Sequence, residues 1–148
     1  MLVTRVGGMT CAFPIQHVVE TMRPLPIEPI GRSADEALAL IDGVAMIRGA
    51  AVPVVDARKL LGVTGGQATR FVVVRAGERR IALVVDAVLD VVRIDPGALS
   101  GLPPLMGGAS RGSISAIGAR DAGLLVVLDA ARVLPDDTWR ALERSEPR

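Results

Sequence analysis

Aromatic side chains are nearly missing from this chain: Phe13, Phe71 and Trp139 amount to 2% of 148 residues, and there is no tyrosine. A core must therefore come from Val, Leu, Ile and Ala. The scarcity argues against functions that need stacking platforms, such as single-strand nucleic-acid binding or grooves for proline-rich peptides. Net charge is missing as well. Seventeen basic against 16 acidic residues leave +1, whereas phosphate-backbone binders carry a clear basic excess. Lysine is reduced to Lys59, so the cations are almost all arginines, whose planar forks tolerate interfaces better. A compositional bias toward Arg, Ala, Val and Pro would read the same way. With Cys11 as the one cysteine, no intramolecular disulfide can form and nothing points to an oxidising compartment. The apolar runs Ile81–Val85 and Leu124–Leu128 are far too short to cross a bilayer. Met1–Gly8 lacks a basic segment followed by an apolar one. The expectation is a cytoplasmic protein with no direct membrane insertion and no nucleic-acid partner.

Catalytic signals are also scarce. The single histidine, His17, sits beside Val18 and Val19, and no second His, thiol cluster or carboxylate set gives metal-ligand spacing. Cys11 in a strand reads as a small buried filler, since a reactive thiol needs a neighbouring positive group. There is no phosphate-binding P-loop and no G-x-G-x-x-G after a strand. The acidic residues are scattered singly, so spacing offers no paired-carboxylate site. Gly108-Ala109-Ser110-Arg111-Gly112 formally matches a nucleophile elbow. However, Leu102–Gly107 is a poor strand, Ser113–Ile117 alternates like a strand rather than a helix, and His17 lies upstream instead of downstream. No catalytic residue, cofactor or metal is expected.

What remains is a strand-rich globular sequence, 50% apolar and 22% charged. Val- and Ile-rich segments separated by Gly, Pro and Asp clusters predict strands. They fall at Leu2–Val6, Cys11–Ile15, His17–Met22, Val44–Arg48, Val52–Val55, Arg70–Arg75, Arg80–Val85, Val88–Ile94, Ser113–Ile117 and Leu124–Leu128. Gly77-Glu78 and Ala119–Gly123 read as hairpin turns. Many short strands at this spacing predict an all-β fold, barrels or a sandwich, rather than a parallel α/β sheet. Helices are few. Ser33–Glu36 has capping-box spacing, Ala57–Leu61 is one short turn, and a C-terminal helix is predicted at about 136–144 with acidic residues first and Trp139 docking it.

Two features carry more information. Val52–Gly62 echoes Leu125–Pro135: an apolar strand, an Asp placed to cap a short helical turn, then a breaker. Such an echo suggests two related subdomains, each too small to be stable alone. The second feature is Gly43–Asp56, where two apolar strands meet at Arg48-Gly49. Alternation puts Met46 and Arg48 on one face and Ala45 and Ile47 on the other. Arg48 reads either as an interface anchor or as a solvated or structural arginine, for instance paired with Asp56.

Ile47-Arg48-Gly49 followed by Val52-Pro53-Val54-Val55-Asp56 resembles the "(L/I)RG…VP(V/I)(V/I)D" signature of CheW-like domains, the coupling proteins of bacterial chemotaxis. Ala12–Glu20, the segment Arg70–Val74 with Ile81–Asp86 and Val88–Val92, and Leu125–Leu134 resemble further parts of that family, so the likeness spans roughly residues 2–135. The resemblance implies a single domain over 1–148 made of two intertwined, five-stranded SH3-like β-barrel subdomains, and a non-enzymatic adaptor. The implied partners are the regulatory domain of a chemotaxis-type histidine kinase, the cytoplasmic tip of methyl-accepting receptors and other CheW-like domains. The implied location is the cytoplasm, with recruitment to membrane receptor arrays. A pilus-motility or other receptor–kinase pathway is the alternative output, and a nucleic-acid-binding small barrel the remote alternative. By motif, Arg48 falls on the signature arginine, Val18 and Glu20 on the early receptor-facing strand, and Val85 on the neighbouring strand of the other barrel. Where the family often has Asn two residues before the arginine, this chain has Met46. Arg48, Glu20, Val18, Met46 and Val85 are thus the candidate partner-binding residues.

Overall fold

The computed structural model describes residues 1–30, 38–101, 112–121 and 123–144. Ser33–Glu36 and Ser110, read above as a capping box and a serine motif, lie outside the described residues. Among those described, ten strands form: β1 (Leu2–Val6), β2 (Met9–Phe13), β3 (Val18–Met22), β4 (Ile41–Ile47), β5 (Ala50–Asp56), β6 (Arg70–Ala76), β7 (Arg79–Val85), β8 (Ala87–Val91), β9 (Ile114–Arg120) and β10 (Gly123–Leu128). Two helices accompany them, α1 (Ala57–Leu61) and α2 (Asp136–Arg144). Each predicted strand has its counterpart: Leu2–Val6 is found with the expected bounds and the others have shifted ends. The second strand stops at Phe13 because Pro14, which has no N–H to give a ladder, leads into a 3₁₀ turn at Ile15–His17. No described helix is long and apolar enough to cross a membrane.

The strands make two five-stranded sheets in the orders β8-β1-β2-β10-β9 and β3-β6-β7-β5-β4. The two repeat one pattern: antiparallel, antiparallel, parallel, antiparallel. In each half of the chain the strand after the first hairpin crosses over. Thus β3 leaves β1 and β2 to pair with β6, and β8 leaves β6 and β7 to pair with β1. The sequence echo occupies equivalent places. Both β5 and β10 pair in parallel with a partner strand, and each leads into a turn capped by an aspartate, the last residue of β5 and the residue just after β10. Asp56 accepts from the Arg58 N–H at 2.9 Å and Asp129 from the Ala131 N–H at 3.0 Å.

Neither sheet closes into a full barrel ladder. In the second sheet the edges β3 and β4 are not laddered together, and the gap is spanned by a single bridge. The Glu28 and Val44 backbones exchange two hydrogen bonds of 2.8 Å each. The first sheet does the same with Ser100 and Ile117, at 2.8 and 2.9 Å. A strongly twisted short sheet curls until its edges approach, and one residue from the following loop completes the turn.

Alternation along the paired strands divides the buried side chains into three clusters. Val72, Val74, Ile81, Leu83 and Val85 of the second sheet meet Leu2, Val6, Phe13 and Val126 of the first in a central core. The opposite faces fill the interiors of the two sheets, with Phe71, Val73, Ala82 and Val84 in the second and Val3, Ala12, Leu125 and Val127 in the first. Burying each large aliphatic side chain contributes roughly 1.5–3 kcal/mol. Strands buried on both faces lose polar alternation, which is why Ile81–Val85 and Leu125–Leu128 are unbroken apolar runs. Cys11 is wholly buried in the central core, where burial pushes its thiol far above the usual range against a weaker opposing hydrogen bond with Thr4. It is therefore a filler, not a nucleophile.

Candidate partner-binding surface

The turn joining β4 to β5 has only two residues between the paired Ile47 and Ala50. Both take positive φ, +51° at Arg48 and +81° at Gly49, as the right-handed twist of a tight hairpin requires. Gly49 adopts this freely. Arg48 does so at roughly 1–2 kcal/mol. Strain of this sort on a large side chain is a pointer to function rather than to fold, because a glycine or asparagine would serve the turn better.

The strained residue has a partner. Arg48 Nε donates to Glu20 Oε2 at 2.7 Å and Nη2 donates to Oε1 at 2.9 Å, a two-pronged guanidinium–carboxylate pair. Glu20 reaches it from β3, at the far edge of the same sheet. The pair therefore spans the gap between the edges, beside the Glu28–Val44 bridge. Its members differ in exposure: 71% of the Arg48 side chain is open to solvent against 19% of Glu20. The Arg48 hydrogen bonds, with smaller help from the charges of Arg48 and Arg80 and against slight desolvation, hold the Glu20 carboxyl below its usual range. Asp56 is not the partner of Arg48. It is taken by Arg58, whose Nε and Nη2 lie 3.2 and 3.0 Å from its oxygens, because the capping geometry of α1 puts that guanidinium next to it.

The depressed Glu20 carboxyl has a testable consequence. A group whose acidity is raised by folding contributes stability above its unfolded pKa, about 4.3 for glutamate, and that contribution disappears as pH falls through the lower folded value. The Glu20–Arg48 clasp is therefore expected to stay closed through the ordinary carboxylate range and open only below it. Carbon-detected NMR titration of the Glu20 carboxyl should show a midpoint below that of a free glutamate, rising in Arg48→Gln. An unchanged midpoint in that variant would mean that the pair does not persist in solution.

The other candidates separate. Met46, two residues before Arg48 on β4, is 57% exposed, while Ala45 and Ile47 turn into the sheet interior. Val18 and Glu20 point to opposite faces of β3, because a bulge between them makes Val18 oppose Val74 and Glu20 oppose Val73. Val18 packs on the central core and is only partly exposed. Val85 is a correction: it is 0% exposed, sealed in the central core, and offers a partner no surface. His17 ends the 3₁₀ turn half-buried. Among the described residues no group of three His, Cys, Asp or Glu side chains could hold a metal ion.

Sequence reasoning missed Asp86. Its Oδ2 accepts from the Gly7 N–H at 3.1 Å and its own N–H donates to Arg5 O at 2.9 Å, while the Thr69 hydroxyl donates to its carbonyl. It ties the β1–β2 hairpin to the end of β7. Nothing in its spacing foretold this, since Gly7 and Arg5, the partners that tie it to the first hairpin, are about eighty residues away in sequence.

The intertwined sheets and the displayed hairpin arginine can be set against known proteins. A family model described as "CheW-like domain" matches residues 1–138. The chain belongs to the CheW-like domain family. A chemotaxis protein CheW from Thermotoga maritima is 25% identical over 137 residues, covering 90% of this chain and 85% of that protein. A chemotaxis protein CheA from Cereibacter sphaeroides is 33% identical over 94 residues, 60% of this chain. This CheW-like domain spans only 13% of the length of that CheA. The crystal structure of the scaffolding protein TtCheW from Thermoanaerobacter tengcongensis superposes with a TM-score of 0.80 at 21% identity, covering 93% of this chain and 88% of the other. That likeness shows the fold. The two relatives are chemotaxis proteins, and the solved structure is that of a scaffolding protein.

Proposed function

We propose that the protein is a non-enzymatic cytoplasmic adaptor that couples the cytoplasmic tips of methyl-accepting receptors to a chemotaxis-type histidine kinase. The reading rests on one observation above others. The signature arginine is held on a strained turn, aimed by Glu20, and still leaves most of its side chain open. The exposed thioether of Met46 beside it adds a flexible apolar contact of the kind that adapts to partners. The likeness to part of a CheA supports a partner segment built like this chain, so that both proteins bring related surfaces to the contact. Other CheW-like domains fit as partners for the same reason.

Holding receptor and kinase together raises each one's effective concentration for the other, so weak individual contacts suffice. Signal passes as a preference for one of two partner states, and no bond is made or broken by the adaptor. Arg48→Glu removes both hydrogen bonds and sets two carboxylates side by side at a solvated rim, where lost ion pairs cost folding little. The variant is expected to keep its amide NMR dispersion while binding the kinase regulatory domain or the receptor tip about tenfold more weakly by calorimetry. A folded variant with unchanged affinity for both removes Arg48 from the interface. Failure of the wild type to bind either partner removes the adaptor reading itself.

A further inference from the structure

The β6–β7 hairpin turns on Gly77-Glu78 and places Arg75 directly opposite Arg80. Directly opposed residues of an antiparallel pair share a face. This face continues from Phe71, Val73, Ala82 and Val84, which fill the interior of the second sheet. Arg75 and Arg80 therefore stand where that face emerges into solvent, and both are exposed. Like charges directly opposed destabilise a hairpin. A compensating carboxylate would be the usual remedy, yet among the described residues neither guanidinium makes a hydrogen bond or a close ion pair, and the Arg80 charge reaches the Glu20 carboxyl only as a minor contribution beside Arg48. Two acids in the region already have arginine partners. Both Glu20 oxygens are held by Arg48. Glu143 lies 3.8 Å from Arg79, which itself stacks over the Trp139 ring at 4.8 Å. Glu20 also lies opposite Val73, on the same face as Arg75 and Arg80.

We infer that Arg75 and Arg80 extend the Glu20–Arg48 rim as a carboxylate-reading pair, and that their occupant is an acidic segment of a protein partner. The inference rests on the adaptor reading of that rim and names the chemistry of what docks there. Guanidinium forks match carboxylates with two parallel hydrogen bonds. A nucleic acid fits less well. The chain carries only +1 and 2% aromatics, without the basic excess or stacking platforms that nucleic-acid binding uses.

The test uses the intact protein and an oligoglutamate peptide, followed by amide NMR at low salt. The peptide is expected to shift residues 73–82. Arg80→Glu converts the repelling pair into an attracting one, so its melting temperature should equal or exceed that of the wild type while its affinity for the peptide falls about tenfold or more. Loss of binding in a variant at least as stable as the parent cannot be a folding defect. Absence of shifts in 73–82, equal binding by Arg80→Glu, or tighter binding of oligothymidylate to the same residues would overturn the inference. The adaptor reading fails separately, through the kinase and receptor measurements on the wild type and Arg48→Glu.

Discussion

Val85→Asp is expected to abolish cooperative folding rather than to weaken a partner contact. The side chain ends β7 in the central core, among residues from both sheets, with no exposed surface. A carboxylate there would be stripped of water at a penalty of several kcal/mol, set against a total stability of about 5–15 kcal/mol for a domain. Arg70 lies opposite in the ladder, but its guanidinium donates to Thr69 O at 2.8 Å in an exposed hydrogen bond. Rescuing the aspartate would bury a second charge. Urea unfolding and amide NMR should find the variant unfolded or expanded. The milder Val85→Ala should remain folded and lose about 2 kcal/mol from the missing methyls and the cavity they leave. A Val85→Asp protein with native dispersion and unchanged midpoint would return Val85 to the surface and revive its reading as a contact residue.

The reason Val85 misleads is visible in the sequence itself. Ile81-Ala82-Leu83-Val84-Val85 has no polar residue to mark an outer face, because the strand lies between two cores. Existence of the strand is legible from Val and Ile, but a side of it that partners could touch does not exist. Strand identity was legible throughout for the same compositional reason, whereas strand ends were blurred by features that carry little signal. Gly43 looks like a breaker ahead of Val44, yet β4 starts at Ile41 and absorbs the glycine as a register shift. The bulge at Val18–Glu20 sends neighbouring side chains to opposite faces, so two residues expected on one surface are parted.

Of the candidate site, the hairpin tip was readable and its partner was not. Arg48-Gly49 between apolar strands announces a turn. Glu20 is 28 residues away, on the opposite edge of the sheet, and only the curl of the whole sheet brings it to Arg48. Asp56, the nearer guess, is claimed locally by Arg58 two positions on. The opposed Arg75 and Arg80 could have been found by counting outward from Gly77-Glu78, since a two-residue turn fixes the register of everything beyond it.

Gly43→Val is expected to break the closure of the second sheet. A Cβ at this position would lie 2.3 Å from Glu28 O and 2.7 Å from Ile27 Cγ2. The first of these is backbone and cannot rotate away. Either β4 or the segment at 27–28 must retreat, and the two 2.8 Å hydrogen bonds between Glu28 and Val44 go with it. Forced overpacking of this kind costs about 3 kcal/mol or more. Gly43→Ala carries the same Cβ with less bulk and should fold with a smaller loss. In that variant hydrogen exchange should speed up at the Glu28 and Val44 amides, while the amides of β1, β2 and β10 in the first sheet stay protected, since local opening need not be global. Glu20 and Arg48 join the same two edges, so opening the bridge should also loosen their clasp and move the Glu20 carboxyl back up toward its ordinary range. If the Glu28 and Val44 amides remain protected in folded Gly43→Ala, the single backbone bridge is not what holds the edges together. Closure would then fall to the charge pair alone, and Arg48 would owe its strained turn to architecture before any partner.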